Sequence, residues 1–135
     1  MPILDDIWIM TASGITMYNR VENETVDEQL FGGFMSAVNA FATQIDTSGI
    51  SGFQIGTKRF IRVEKSGVHF VANFDRSIKD KKAMEELQAI ANRFVTTYAA
   101  ILPSWSGDVD AFKDFHAIPG NDPGNVAGKF QQAFW

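Results

Sequence analysis

The sequence contains no cysteine among its 135 residues. This absence excludes disulfide bonds, catalysis by a thiolate and every zinc site that depends on cysteine ligands. Because disulfides are avoided in reducing compartments, the composition favours a cytoplasmic location. We expect the protein to reach the cytosolic face of a membrane only through its partners.

The sequence also lacks any apolar run that approaches the ~20 residues needed to span a bilayer. Residues 1–6 are acidic and short, unlike the basic region and long apolar stretch of a signal peptide. Pro2 stands where N-myristoylation requires a glycine, and prenylation would require a cysteine. We therefore expect membrane contact to be peripheral at most.

Positive charge is in deficit: 12 Lys and Arg stand against 16 Asp and Glu, which gives a net charge of −4. Nucleic-acid binding depends on cations that neutralise phosphates, so we expect no nucleic-acid partner. Two small basic clusters lie within residues 58–65 and 79–82. They are either ordinary solvated charge or a weak attraction to anionic lipid, on the order of 1 kcal/mol per basic residue.

No constellation of residues points to catalysis or metal binding. Neither histidine, His69 or His116, has a Ser and carboxylate pattern around it that would suggest a triad. Asp108, Asp110 and Asp114 lack the glycine and closing Glu of an EF-hand, and the phosphate-loop pattern is absent. We expect a protein that is not an enzyme and has no catalytic, cofactor-binding or metal site.

The length and composition of the sequence are those of one globular domain. Apolar residues make up 45% and charged residues 21%, and 135 residues suit a single domain. A chain of this length can bury roughly two-thirds of the surface it exposes when unfolded. Phenylalanine is unusually frequent, at 12 residues, which predicts an aromatic core.

Short apolar segments predict five strands. Ile7–Met10 is apolar at every position and reads as a central strand buried on both faces. A turn at Ser13-Gly14 leads to a returning strand at Ile15–Tyr18. Three later segments predict an antiparallel meander whose first member is an edge strand: Gly52–Gly56, Arg59–Val63 and Val68–Phe74.

A first helix is predicted from a capping box at Thr25–Glu28 to about Asp46. Gly32 and Gly33 cost it roughly 1–2 kcal/mol of helix propensity, so either the helix begins loosely or another segment packs closely there. Its apolar residues fall on one broad stripe, which packs as core or leaves residual apolar area beside Gly32 and Gly33 as a docking face. The residues of the stripe are Leu30, Phe31, Phe34, Met35, Val38, Phe41, Ala42 and Ile45.

A second, longer helix is predicted over Asp80–Leu102, where Pro103 ends it, and Asp108 caps a short helix after it. The order predicts an α+β fold, with a five-stranded, mostly antiparallel sheet sandwiched between one helix and a long C-terminal helix plus a short helix. We assign residues 1–118 to this domain and residues 119–135 to an irregular C-terminal tail.

This element order resembles the longin domain of the longin–roadblock, profilin-like superfamily. The opening Ile7–Tyr18 segment is similar to the family's start, an apolar strand, a small polar-Gly turn and a strand ending in an aromatic residue. The roadblock branch carries a further helix before its first strand, for which this chain has no room, and profilin also begins with a helix. The resemblance therefore favours the longin branch.

The resemblance implies a module without shared catalytic residues that works through its surfaces. In this superfamily such surfaces dock small GTPases, assemble complexes of the vesicle-trafficking type or fold back on a linked segment. We therefore expect a non-catalytic protein-interaction module, as a homodimer or in a heteromeric assembly, with a small GTPase among the candidate partners. The alternative is a PAS-like or profilin-like sensory or ligand-binding domain, which requires an interior cavity with converging polar groups.

Three segments supply candidate interaction residues, because each would leave apolar side chains available to a partner. The tail candidates would dock into an apolar groove of the same chain or of a partner, the other alternative being a disordered terminus. The candidates are Phe31, Phe34 and Met35 in the first helix, Phe53 and Ile55 in the edge strand, and Phe130, Phe134 and Trp135 in the tail.

Overall fold

The computed structural model describes residues 3–21 and 27–116. Five strands and two long helices follow one another in the predicted order. Two short 3₁₀ helices, Leu102–Ser104 and Val109–Phe112, come after them. The main elements are β1 (Asp6–Thr11), β2 (Thr16–Arg20), α1 (Glu28–Thr43), β3 (Gly52–Ile55), β4 (Lys58–Lys65), β5 (Val68–Asp75) and α2 (Asp80–Thr97).

The strands form one antiparallel sheet in the order β2-β1-β5-β4-β3. The predicted five-stranded antiparallel sheet of an α+β fold is thereby confirmed. β5 lies at the centre between β1 and β4, and β3 lies at one edge, as the sequence predicts. Every residue from Ile7 to Met10 is buried, which is the pattern of a strand covered on both faces.

Alternate side chains of β1 enter two separate hydrophobic clusters. Ile7 and Ile9 belong to the larger cluster, which contains Phe94 of α2. Trp8 and Met10 belong to the smaller cluster, which contains Met35 of α1. Since successive side chains of a strand point to opposite faces, the two clusters lie on opposite faces of the sheet.

Aromatic rings fill the larger cluster. The ring of Phe94 lies 5.0–5.7 Å, centroid to centroid, from four others, those of Phe70, Tyr98, Phe112 and Phe115. These separations are those of favourable tilted and edge-to-face pairs. Phe112 ends the second 3₁₀ helix and Phe115 follows three residues later; the N-cap of this helix is Asp108, as predicted.

Two helix boundaries differ from the sequence prediction. The N-cap of α1 is Asp27 rather than Thr25, which lies outside the described residues; the Asp27 carboxylate accepts hydrogen bonds from two backbone N–H groups of the first turn. Glu28, which the capping box would turn back toward the N-cap, instead accepts a hydrogen bond from Asn19 of β2.

The α2 helix ends at Thr97, five residues before the predicted Leu102. Both Ile101 and Leu102 direct their backbone N–H groups to the Tyr98 carbonyl, which closes a tight turn. Pro103 follows this turn, within the first 3₁₀ helix, Leu102–Ser104. The Tyr98 side chain is buried among the aromatic rings beneath this turn.

The two glycines of α1 have different surroundings. A Cβ atom built on Gly32 would lie 2.0 Å from the carbonyl oxygen of Gly14, in the turn between β1 and β2. A Cβ atom on Gly33 would meet no other atom within 4 Å. Close packing against the first turns of α1, one of the two alternatives that the sequence left open, is therefore what occurs at Gly32.

This contrast predicts opposite effects for one substitution at adjacent positions. Gly32→Ala should lower the free energy of unfolding by about 1–3 kcal/mol, because the β1–β2 turn must move away from α1. Gly33→Ala should raise it by about 1 kcal/mol, because alanine favours the helix at a position with free space. Urea unfolding of both variants measures the difference, and equal stabilities would contradict the close approach of Gly14 to Gly32.

Candidate protein-interaction surface

One side of α1 exposes a row of large apolar side chains. Leu30, Phe34, Phe41 and Ile45, here called the outer stripe, are between 46% and 77% exposed. Their spacings of four, seven and four residues place them along one side of a helix. The row continues past the last helical residue, Thr43, into the turn that follows.

The inner side of α1 packs on the sheet. Met35 is only 3% exposed, and the Phe31 ring packs against Trp8 with centroids 4.3 Å apart and planes tilted by 40°. The broad apolar stripe of α1 is therefore divided between a covered inner part and the exposed outer stripe. Phe34 and Met35 lie about 100° apart around the helix, and only Met35 is buried against the sheet, while Phe34 is 46% exposed.

The edge strand β3 extends this surface. Within residues 3–21 and 27–116, β3 pairs with β4 alone, so its outer edge carries backbone groups without a strand partner. Phe53 stacks on Phe60 at 4.7 Å and meets the edge of Phe34 at 5.7 Å. Ile55, two residues along the same side of the strand, is 59% exposed.

The outer stripe, Phe53, Ile55 and the free edge of β3 together form what we call the α1–β3 surface. Three of the sequence candidates lie on it: Phe34, Phe53 and Ile55. Phe31 is half-buried beside it, and Met35 lies beneath it in the core. Phe130, Phe134 and Trp135 lie outside the described residues, so their docking stays a prediction.

Leu30, Phe41 and Ile45 were missed, since the predicted interaction residues of α1 were Phe31, Phe34 and Met35 alone. A signal was present in the sequence: adjacent apolar pairs that contain a large side chain recur along α1, which widens the apolar part of the helix circumference. They include Leu30-Phe31, Phe34-Met35 and Phe41-Ala42.

A buried arginine fixes the connection between α1 and β3. Arg62, on β4, is 8% exposed. Its Nε donates to the Ile50 carbonyl at 2.7 Å, and its Nη2 donates to the Ser48 carbonyl at 2.8 Å. The Asn39 side-chain oxygen, on α1, accepts a hydrogen bond from the Ile50 N–H at 3.1 Å. These bonds set the position of β3 relative to the outer stripe.

His69, on β5, completes the polar cluster under this connection. Its Nδ1 lies 2.9 Å from Nη1 of Arg62, and its Nε2 lies 3.8 Å from the Glu64 carboxylate. Burial and the neighbouring Arg62 charge lower the pKa of His69 below its ordinary value, while Glu64 opposes the shift. His69 thus contacts Arg62 within the buried layer of the sheet. The other histidine lies elsewhere, and the backbone carbonyl of His116 accepts a hydrogen bond from Arg93.

Two further features bear on function. No helix within the described residues is both long enough and apolar enough to cross a bilayer. Among the same residues, no group of three or more acidic or histidine side chains is placed to hold a metal ion. A half-open groove of about 320 Å³ lies at the C-terminal end of α2, lined mainly by apolar residues that include Val68, Leu102 and Trp105.

The Arg62 bonds generate a stability prediction. Arg62→Met keeps the length of the side chain but leaves the Ser48 and Ile50 carbonyls without their charged donor. We expect a loss of about 2–3 kcal/mol in the free energy of unfolding. Arg59→Met is the matched control on the same strand, where the ion pair with Asp80 is partly exposed and contributes about 0–1 kcal/mol. Urea unfolding measures both, and equal losses would contradict the role given to Arg62.

Comparison with known proteins finds similarity in structure and not in sequence. No family model matches the chain, and no curated protein sequence matches it. MglB of Myxococcus xanthus superposes with a TM-score of 0.59 at 10% identity, covering 73% of this chain and 85% of that one. A Roadblock/LC7 domain from Streptomyces avermitilis superposes with a TM-score of 0.56 at 10% identity, covering 73% and 88%.

The TM-scores of 0.59 and 0.56 show a shared fold, and identities of 10% leave function to be argued separately. The preference for the longin branch over the roadblock branch stays a prediction, because the similarity extends to a domain of roadblock type. The element order, the single antiparallel sheet and both superpositions agree on the fold that the two branches share. The chain has the longin/roadblock fold.

Proposed function

We propose that this protein is a non-catalytic protein-interaction module and that its α1–β3 surface pairs with the same surface of a second copy. The observation that carries the proposal is the exposure of five large apolar side chains beside an unpaired strand edge. These side chains are Leu30, Phe34, Phe41, Ile45 and Ile55. Contiguous apolar area of this kind is typical of a binding site, since monomeric surfaces keep such patches small.

The geometry of the surface favours a second copy as its occupant. An antiparallel strand edge can pair with its own copy across a twofold axis, and the same axis brings the two α1 helices side by side. Such a pair would join two five-stranded sheets into one. The interface is isologous, so every apolar residue of the α1–β3 surface is buried once in each copy.

Charge supports the same occupant. The protein carries a net charge of −4, so two copies repel one another over most of their surfaces. Among the 16 residues of α1 only Glu28 is charged, and it lies in the first turn. The α1 helix therefore offers an almost uncharged face to an identical, acidic partner.

The pair of copies would in turn bind a further protein partner. The longin/roadblock fold and the resemblance of the opening strands support an assembly or regulatory platform for a small GTPase or for a membrane-trafficking type of complex. This step rests on analogy at the level of the fold. The chain would then act at the cytosolic face of a membrane through its partners.

The alternative of a sensory or small-ligand domain receives less support. Trp8, Phe31, Phe53 and Phe60 fill the face under α1 with rings 4.3–6.2 Å apart. The other face is filled by the rings around Phe94. The groove of about 320 Å³ lies at the end of α2 and is half-open, unlike the interior cavity that this alternative requires.

Phe41→Glu tests the pairing. A carboxylate in the middle of the outer stripe would be buried without a partner, so we expect the dissociation constant of the dimer to rise about tenfold or more. Val109→Glu is the matched control, an apolar residue of comparable exposure in the 3₁₀ helix on the α2 side of the sheet, and should leave association unchanged. Sedimentation over a concentration series measures all three proteins.

Two outcomes would contradict this assignment. A wild-type protein that is monomeric at every concentration would exclude a second copy as the occupant of the α1–β3 surface. If truncation after residue 118 then produced a dimer, the tail would be the occupant instead. Association unchanged by Phe41→Glu would place the interface elsewhere. The GTPase step is tested separately, by whether a small GTPase captured by the wild type depends on added GTP or GDP and rebinds as a purified protein.

A further inference from the structure

Arg62 and His69 form a buried ionisable pair directly beneath the α1–β3 connection. They are 8% and 6% exposed, and together with Ser36 and Asn39 of α1 they line a cleft of about 10 Å³. Such a volume suits a single water molecule. The β1 residues at this cleft, Met10 and Thr11, and the two α1 residues carry no charge.

Among the described neighbours, two groups impose charge on His69, and both come from β4. They are Arg62, whose Nη1 lies 2.9 Å from the imidazole Nδ1, and Glu64, whose carboxylate lies 3.8 Å from Nε2. Glu64 is half-exposed and also lies 3.5 Å from Arg62. The nearer charge is thus the cation, which makes an imidazolium unfavourable at this place.

The short contact defines the protonation state of His69. A guanidinium has only donors, so at 2.9 Å the Nδ1 of His69 must accept the hydrogen bond. The single proton of the neutral ring then resides on Nε2, on the side of Glu64. A proton added to Nδ1 would point at the donor of Arg62 and place two cations in contact.

The other bonds of Arg62 connect this protonation to the surface. Its guanidinium holds the carbonyls of Ser48 and Ile50, and its backbone N–H donates to the Ser51 carbonyl at 2.9 Å. The β3 strand begins at the next residue, Gly52. A guanidinium pushed away from His69 would release the segment that positions β3 beside α1.

We propose that Arg62 and His69 form a proton-sensitive latch: when His69 takes up a proton, Arg62 releases the connection between α1 and β3, and the pairing of two copies weakens. This inference rests on the proposed function, since it assigns a regulation to the α1–β3 surface. The latch needs no ligand or covalent step, because the proton comes from the solvent.

The pH window follows from the direction of the shift. Burial, then the Arg62 charge, lowers the pKa of folded His69 below the 6.5 of an unperturbed imidazole, with Glu64 opposing. The unfolded chain then binds more protons than the folded one, so stability rises with pH across the interval. The latch is fully closed above about pH 6.5 and opens as the pH falls through the lower pKa of the folded state.

The experiment compares pH 7.5 with a pH below the folded-state pKa of His69, which nuclear magnetic resonance titration of the imidazole provides, by two independent measurements. Amide hydrogen exchange in residues 48–55, corrected for the intrinsic rate, reports the connection itself. Sedimentation reports the association of two copies. At the lower pH we expect faster exchange in this segment and weaker association, by roughly tenfold per subunit for each pKa unit by which pairing lowers the pKa of His69.

Two variants isolate the histidine. In His69→Asn the amide oxygen can occupy the place of Nδ1, accept from Arg62 and never titrate, so both measurements should lose their pH dependence. His116→Asn removes the other histidine and should keep the wild-type response. Nuclear magnetic resonance titration of the wild-type imidazoles gives a check that needs no variant.

The outcomes separate the latch from the pairing. If the wild type fails to associate at either pH, the proposed pairing is wrong, and the exchange data with the titration still decide whether the connection opens. If association is equally strong at both pH values, or His69→Asn retains the response, the latch is overturned while the pairing stands. A folded-state pKa of His69 above 6.5 also overturns the latch.

Discussion

Burial of β1 on both of its faces is the constraint on which the rest of the structure depends. Ile7 and Ile9 require cover on one side of the sheet, and Trp8 and Met10 require it on the other. A sheet with one solvated face would leave Trp8 in water, at a cost of roughly 1.5–3 kcal/mol for a large apolar side chain. Two helices are therefore needed. In the chain, α1 precedes the β3–β5 meander and α2 follows it.

The two helices meet this requirement unequally. Five residues of α2 are buried, and its polar residues face solvent, as expected of a helix that serves only its own core. Only Gly32 and Met35 of α1 are buried, although the helix is the more apolar of the two. The apolar surplus of α1 adds little to the stability of the single chain, and a role in binding gives it a physical reason.

The α1–β3 surface requires that α1 and the free edge of β3 keep fixed positions relative to each other. The short connection between them consists largely of small polar residues and offers little packing of its own. Arg62 provides the restraint by holding the Ser48 and Ile50 carbonyls from below. A buried cation is costly without partners, and His69 serves as an acceptor only while it is neutral. The same arrangement that positions the surface thus makes it sensitive to protons.

The sequence by itself determined the five strands, the antiparallel meander, both helices and the aromatic core. These follow from the spacing of apolar residues and from the turn residues, which are local signals. Phe34, Phe53 and Ile55 could be chosen as surface candidates on the same basis. Only the tertiary structure decided which half of the α1 stripe is covered, because that depends on the width of the sheet face beneath it. The pairing of Arg62 with His69 was equally hidden, since residues seven apart on two strands meet only through the β4–β5 register. Local patterns fix what each segment prefers, whereas exposure and polar pairing depend on what the other segments leave uncovered.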